Sequence, residues 1–242
     1  TIRALTYIQM QKIFNFFPLT VYKSTISLPE KEKKEMISEI RLMEKKSKNL
    51  DYKSSSKAWT GDTQGFEYLH NNPRFKNLFI QINKCIIEYL ENLSINHKKL
   101  DLYFQRSWAT ISKDKEHIDN HSHDQSHISI AYYLSKKKDD SKIMFFDSNK
   151  HNEFIPQLFD SRSLSKGNIF GKRDILNSSK VVFDTKEDEV LVFPSKTIHG
   201  TEQGKSNSER ISISADIVFV AKDTSTLEHL VPPIQNWKQF SN

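Results

Sequence analysis

Apolar residues follow two different periods along this chain, and the change from one to the other falls near residue 100. In residues 1–100, apolar positions recur at intervals of three and four, which is typical of helices that bury one face. The stretch 16–22 is an exception and predicts a short strand. In residues 101–242, apolar and polar positions alternate, as they do in strands with one buried face.

Two helices are predicted in the first hundred residues. One begins near Ser27, because Glu30 lies three residues further on, which is the spacing of a capping box. The other follows Asn72 and Pro73, since asparagine suits the cap and proline suits the first helical position. The first helix has an apolar stripe of Met36, Ile37, Ile40 and Met43, and the second has one of Phe75, Leu78, Phe79, Ile82, Ile86, Tyr89, Leu90 and Leu93.

The alternating stretches of the second part predict six strands or more. They cover residues 102–111, 127–134, 142–146, 180–183, 190–193 and 210–220. Strands in this number, separated by polar turns, favour a sandwich or barrel. Because helices precede them, we predict a mainly β (α+β) fold in which an open-ended barrel is braced by helices. The whole chain is predicted to form one domain, with a helical part followed by a β core.

One segment, at about residues 149–179, breaks the alternation. It mixes large apolar residues with glycines, serines and charges. A loop of this length in a compact domain is usually functional or disordered. Two interpretations stay open here, a lid that contacts the substrate and a surface excursion.

The last predicted strand separates polar from apolar residues. Arg210, Ser212, Ser214 and Asp216 share one face, and Ile211, Ile213, Ala215 and Ile217 share the other. We expect the apolar face to pack under the N-terminal helices. The polar face would then line the interior of the barrel.

Composition narrows the class of protein. With 242 residues, 36% hydrophobic and 27% charged, the chain is an ordinary globular domain with a sizeable core. Its net charge of +6 comes from lysines spread along the chain without a nucleic-acid-binding motif, so we expect no nucleic-acid partner. No apolar run approaches the length of a membrane span. Cys85 is the single cysteine, which excludes an internal disulfide and fits a cytoplasmic location. The sequence gives no indication of the oligomeric state.

Histidines supply the candidate chemistry. His121 and His123 are two residues apart beside an apolar strand, so an extended chain would point both side chains the same way. His199 follows a Phe-Pro-Ser sequence further along the chain, and Arg210 comes soon after it. Imidazole binds iron, zinc, copper and nickel, and three protein donors on one face leave coordination positions open. An arginine nearby could then bind an anionic co-substrate.

The spacing admits more than one set of ligands. His117 and Asp119 form a His-X-Asp pair, which together with a distant His is the usual ligand set of an oxygenase. His121 and His123 offer a second register with an imidazole in place of the carboxylate. Asp124 follows directly and is a further candidate oxygen donor.

Several motifs match a known family when taken together. They are Phe16-Phe17-Pro18-Leu19-Thr20-Val21-Tyr22, Ala58-Trp59-Thr60-Gly61-Asp62-Thr63, Ser107-Trp108, His121-Ser122-His123, Ile128-Ser129-Ile130-Ala131-Tyr132-Tyr133-Leu134, Leu191-Val192-Phe193-Pro194-Ser195 and Arg210-Ile211-Ser212-Ile213-Ser214. Through them the chain resembles the 2-oxoglutarate/Fe(II)-dependent oxygenases of bacteria and marine phages. That resemblance covers most of the chain and implies a double-stranded β-helix, or jelly-roll, fold. The chain departs from the family at Asp124, where proline is usual, and at Ala215-Asp216, where an asparagine is usual.

The resemblance also implies a set of ligands and a reaction. Fe(II) would be bound by His121, His123 and His199, because the family has His-X-His just before its Ser-rich strand. The enzyme would then oxidise a small-molecule or peptide substrate with O2, hydroxylating it and releasing succinate and CO2. Nothing in the sequence identifies that substrate.

The same resemblance implies how 2-oxoglutarate would be bound. Arg210 would pair with its distal carboxylate, for which the planar guanidinium is suited. Ser212, two residues along the same strand face, and Tyr133 would donate further hydrogen bonds.

Two other functions and two ordinary structural roles also fit the residues. The protein could be a cupin-like dioxygenase with three His ligands and no 2-oxoglutarate, or a jelly-roll binding module without catalysis. Arg210 could form a plain ion pair with Glu209 or Asp216, and Tyr133 could be a core aromatic.

Overall fold

The computed structural model describes residues 14–47, 57–138, 140–159, 170–204, 209–223 and 229–240. Within these ranges the chain forms two α-helices, α1 (Glu30–Lys46) and α2 (Lys76–Asn92). It also forms strands β1 (Tyr22–Thr25), β2 (Trp59–Thr60), β3 (Leu100–Ser112), β4 (Ile128–Ser135), β5 (Ile143–Phe146), β6 (Lys180–Phe183), β7 (Glu189–Pro194), β8 (His199–Thr201) and β9 (Arg210–Ala221).

The strands form two antiparallel sheets. The larger sheet has the order β1-β7-β4-β9-β3-β2, and the smaller has the order β6-β5-β8. Consecutive strands are rarely neighbours in these sheets, since the chain crosses between them as it does in a jelly roll. The predicted double-stranded β-helix with N-terminal helices is confirmed.

The main hydrophobic core lies between the helices and the larger sheet. Ile213, Ala215 and Ile217 of β9 belong to one buried cluster with Ile82 and Tyr89 of α2. The apolar face of the last strand therefore packs against the helical part, as its alternation predicts. A smaller cluster fills the space beneath the opposite face and contains Tyr133, Ile143, Phe145, Leu191 and Phe193.

The start of α1 and the first strand differ from the prediction. No capping box forms, because the helix begins at Glu30 and its N-cap is Pro29, which makes no side-chain cap bond. A proline disfavours helical backbone in the residue before it, so the helix cannot extend back to Ser27. The strand predicted over 16–22 is also displaced, to Tyr22–Thr25, where β7 offers a partner. Pro18 cannot donate a ladder hydrogen bond within the predicted range.

At the second helix the predicted cap is present. Asn72 Oδ1 accepts a hydrogen bond from Arg74 N at 3.0 Å, and a 3-10 turn over Pro73–Phe75 leads into α2. The proline stands at the first position of that turn, as its missing N–H requires.

The segment 149–179 has no helix or strand in its described parts, 149–159 and 170–179. Leu158 and Phe159 are buried in it, and Arg173 donates to the carbonyl oxygen of Phe159 at 3.1 Å. None of these described residues lines the cavity that holds the histidines. The lid therefore stays a prediction, and its centre at 160–169 lies outside the described residues. No helix in the described part of the chain is long and apolar enough to cross a bilayer.

Candidate metal centre

Three histidines from two separate parts of the chain meet at one end of the roll. Each of His121, His123 and His199 offers a ligand atom, and these atoms all lie within 4.8 Å of one another. The ring centroids of His121 and His199 are 4.4 Å apart, and His123 lies 4.9 Å and 5.3 Å from them. The three imidazoles are therefore close enough to share one ion.

The backbone holds two of these residues side by side. His121 N donates to His199 O and His199 N donates to His121 O, both at 2.9 Å. This antiparallel bridge joins the segment before β4 to β8 of the smaller sheet. Its close approach depends on Gly200, where an added Cβ would lie 2.5 Å from Asn120 Oδ1 and 3.0 Å from Ile118 O.

Hydrogen bonds to backbone carbonyls orient two of the rings. His121 Nδ1 lies 2.8 Å from Asp119 O, and His199 Nδ1 lies 2.8 Å from Thr197 O. A carbonyl oxygen only accepts, so each Nδ1 carries the proton and each Nε2 keeps its lone pair. Such partners on the second nitrogen are usual for metal-binding histidines.

For His123, the partner of the second ring nitrogen is a carboxylate. His123 Nδ1 is 2.7 Å from Asp216 Oδ1, which is within ion-pair distance but does not have the geometry of a regular hydrogen bond. Its Nε2 is buried and has no hydrogen-bond partner among the described residues. A buried imidazole nitrogen without a partner is costly unless it binds something. The donor set and this free nitrogen together fit an Fe(II) ion.

Burial keeps His121 and His199 neutral. Desolvation lowers the pKa of His199 to about 3 and also lowers the pKa of His121, and in both cases the backbone hydrogen bond opposes the shift only in part. Burial would raise the pKa of the Asp216 carboxyl group. Contacts with His123, Arg106 and Ser129 outweigh this effect and hold its pKa below the usual value. At neutral pH His121 and His199 thus present uncharged imidazoles, the form that binds a metal.

Acid should destabilise the metal-free protein through His199. The pKa of this residue is lower in the folded chain than in the unfolded chain, so its contribution to stability is complete above about pH 6.5 and is lost as the pH falls. Between pH 7 and pH 5 we expect a loss of about 2 kcal/mol from this residue. Urea unfolding at both pH values in the presence of a chelator measures it. The His199→Gln variant should lose about 2 kcal/mol less than the wild type, and equal losses would contradict the assignment.

The other predicted register lies at the rim of the same cavity. His117 Nε2 is 3.1 Å from Asp119 Oδ1, and Asp119 also pairs with Lys57 at 2.5 Å. The carboxylate is therefore engaged by a lysine and a histidine at an exposed position. Asp124 accepts a hydrogen bond from Ser122 Oγ at 2.9 Å and does not line the cavity. The structure does not bring either carboxylate to the three imidazoles.

Arg210 reaches the same cavity from β9. The cavity has a volume of about 650 Å³ and is lined by all three histidines and by Arg210. The guanidinium is 2% exposed, donates from Nη1 to Ser141 O at 3.0 Å, and has a buried Nε without a partner among the described residues. Neither ion pair proposed for it as an ordinary residue forms, since Glu209 pairs with Arg41 and Asp216 pairs with Arg106.

Two hydroxyl groups lie beside this guanidinium. Tyr133 of β4 and Ser212 of β9 are direct cross-strand partners, and both line the cavity. Burial raises the pKa of Tyr133, so its phenol remains a neutral donor. This end of the cavity therefore offers a buried cation and hydroxyl donors, a combination suited to a carboxylate.

Residues of β3 complete the wall, and the sequence analysis did not identify Arg106 or Thr110 among them as candidates. Arg106, Trp108 and Thr110 alternate along this strand and face the cavity together. Arg106 Nη2 lies 2.9 Å from Asp216 Oδ2, and the Trp108 ring stacks on His123 with centroids 5.6 Å apart. Their spacing of two residues indicates that they share one face of β3, but the sequence does not show whether that face is turned inward.

Comparisons with known proteins agree with this site. Residues 106–216, which include the three histidines and Arg210, match the family model described as "Putative 2OG-Fe(II) oxygenase". No curated protein matches the sequence. Over residues 106–216, which are slightly less than half of its 242 residues, the chain is similar to the 2OG-Fe(II) oxygenases.

Solved structures show the same fold at low sequence identity. HygX from Streptomyces hygroscopicus, with nickel and 2-oxoglutarate bound, aligns with a TM-score of 0.50 at 10% identity over 82% of each chain. A prolyl-4-hydroxylase from Pseudomonas putida aligns with a TM-score of 0.50 at 10% identity, over 82% of this chain and 92% of that one. The carbocyclase SnoK from nogalamycin biosynthesis reaches 0.54 at 9% identity, over 87% and 85%.

Proposed function

We propose that His121, His123 and His199 hold the Fe(II) ion. Three observations support this set: the ligand atoms converge, each Nδ1 has an oxygen partner, and the Nε2 of His123 is buried without a partner. Bound Fe(II) and 2-oxoglutarate together activate O2 for the oxidation of a substrate, with succinate and CO2 as products. The protein supplies the ligands, their orientation and a cavity that limits access of water.

We also propose that Arg210, Ser212 and Tyr133 bind the distal carboxylate of 2-oxoglutarate. The observation that carries this assignment is the buried guanidinium, whose Nε lacks a partner in the cavity that holds the imidazoles. A buried cation is costly when it is left incompletely paired. A carboxylate that reaches it accepts from the guanidinium and from the two neighbouring hydroxyl groups, and so removes that cost.

For the substrate we propose a polar molecule or peptide segment that is hydroxylated at the mouth of the cavity. The mouth is lined by charged and amide side chains, namely Lys57, Asp62, Arg106, Asp119 and Gln125. Solved structures with this fold include HygX with hygromycin B bound and a prolyl-4-hydroxylase. Hydrogen-bonding groups at the entrance favour a substrate that can replace their bound water.

Anaerobic titration tests the function as a whole. Fe(II) followed by 2-oxoglutarate should produce a visible absorption band that requires both additions, and admission of air should then yield succinate. A metal-dependent spectrum that does not change when 2-oxoglutarate is added would instead support a three-His dioxygenase. The absence of any metal-dependent spectrum would support a binding module.

A further inference from the structure

Asp216 is the most deeply buried carboxylate at the site, with an exposure of 0%. It lies between His123 Nδ1 at 2.7 Å and Arg106 Nη2 at 2.9 Å, and it accepts a hydrogen bond from Ser129 Oγ at 3.1 Å. The sheet places these residues, because Arg106 and Ser129 are the cross-strand partners of Asp216 on β3 and β4. Its position therefore follows from the strand register and does not depend on a flexible loop.

The charge of the proposed ligand set gives this carboxylate a role. Three neutral imidazoles leave a divalent ion with its full positive charge, whereas two histidines and a carboxylate neutralise half of it. A carboxylate in contact with the far nitrogen of a histidine ligand makes that ligand more basic and fixes its tautomer. Asp216 holds this position relative to His123.

Arg106 and Trp108 keep the contact in place. The guanidinium pairs with Asp216 Oδ2 and also lies over the Trp108 ring, 5.1 Å from its centroid. Trp108 in turn stacks on His123 with an interplanar angle of 17°. The carboxylate is thus anchored on the side away from the histidine, and the imidazole ring is held by an aromatic face.

We infer that Asp216 is a positioning residue for the metal, which directs Nε2 of His123 into the site and supplies through the imidazole the negative charge that a bound carboxylate would provide. Arg106 anchors it. This inference rests on the proposed role of His123 as a ligand. Asp216 itself does not enter the set of ligands.

Titration of the metal-free protein with Co(II), followed by visible absorption, tests the inference without turnover. The Asp216→Asn variant keeps the shape and an accepting oxygen but removes the charge, so we expect Co(II) to bind about 10- to 100-fold more weakly and with a shifted spectrum. Circular dichroism and urea unfolding establish that the variant is folded. A purely structural role would lower stability and leave the affinity of the folded protein unchanged.

Asp188→Asn is the matched control. Asp188 also pairs with a buried cation, Lys33 at 3.0 Å, and accepts from Tyr132 Oη at 2.9 Å, but unlike Asp216 it does not pair with His123. Its replacement should leave Co(II) affinity within twofold of the wild type. An equal loss in both variants would overturn the inference.

Two further variants keep the test decisive. If Asp216→Asn does not fold because Arg106 is left unpaired, the double variant with Arg106→Gln removes both charges, and the same loss of affinity is expected. His123→Ala separates the inference from the proposed ligand set. Unchanged affinity in His123→Ala overturns both, whereas weaker binding in His123→Ala together with wild-type affinity in Asp216→Asn overturns the role of Asp216 alone.

Discussion

Replacement of Arg210 by alanine should raise the concentration of 2-oxoglutarate needed for half-maximal binding by about 30-fold to a few thousand-fold. Loss of one partner from a buried charged pair costs about 2–5 kcal/mol, and each 1.4 kcal/mol is a factor of ten. Fe(II) binding should change little, because none of the proposed metal ligands contacts this side chain. Anaerobic titration of the Fe(II)-loaded variant with 2-oxoglutarate, followed through the visible band, measures the effect.

Two variants control for the loss of packing around this buried arginine. Arg210→Lys keeps the charge but not the planar fork, so its affinity should lie between those of the wild type and the alanine variant. Arg41→Ala removes a guanidinium that pairs with the neighbouring Glu209 and does not line the cavity, so it should bind 2-oxoglutarate normally. A folded Arg210→Ala protein with unchanged 2-oxoglutarate affinity would contradict the assignment of Arg210 to the distal carboxylate.

His199→Ala is expected to abolish measurable Fe(II) binding and to reduce succinate formation by more than about 100-fold. Loss of a direct ligand should exceed the 10- to 100-fold effects that are typical of residues behind the ligands. Metal titration and a succinate assay with added Fe(II) measure the two effects. His151→Ala, at an exposed position in the segment 149–179, provides a histidine control that should retain both.

The same measurements decide between the possible registers. Asp124→Ala and Asp119→Asn should retain Fe(II) affinity within a few fold, because neither carboxylate meets the three imidazoles in the structure. Loss of the metal in Asp124→Ala with binding preserved in His123→Ala would identify an oxygen donor in place of the third imidazole.

Most of the fold can be predicted from the spacing of apolar residues along the chain. The change near residue 100 separated helices from strands, and the alternation along 210–220 assigned Arg210 to the interior and Ile213 to the helical side. These assignments succeed because side-chain direction in a strand depends only on local geometry. The start of α1 failed for a local reason as well, since the restriction that Pro29 places on the preceding residue outweighed the capping-box spacing.

Only part of the site can be predicted from the sequence. The i, i+2 spacing and the family resemblance indicated His121, His123 and His199, but the choice between registers needed the bridge that joins His121 to His199. Gly200 permits that bridge by lacking a Cβ, and nothing in its local sequence shows what it must approach. The contact of Asp216 with His123 depends on how β4 and β9 are paired, which is information from distant parts of the chain.

Strand β9 carries both Arg210 and Asp216 on its inward face, six residues apart, and a strand rises about 3.4 Å per residue. Covalent geometry alone therefore sets a spacing of about 20 Å between these two Cα positions. The entrance is lined by residues of other segments, namely Lys57, Asp62, His117 and Asp119. Loop exchange at the entrance is thus a route to altered selectivity, because it leaves the spacing along this strand untouched.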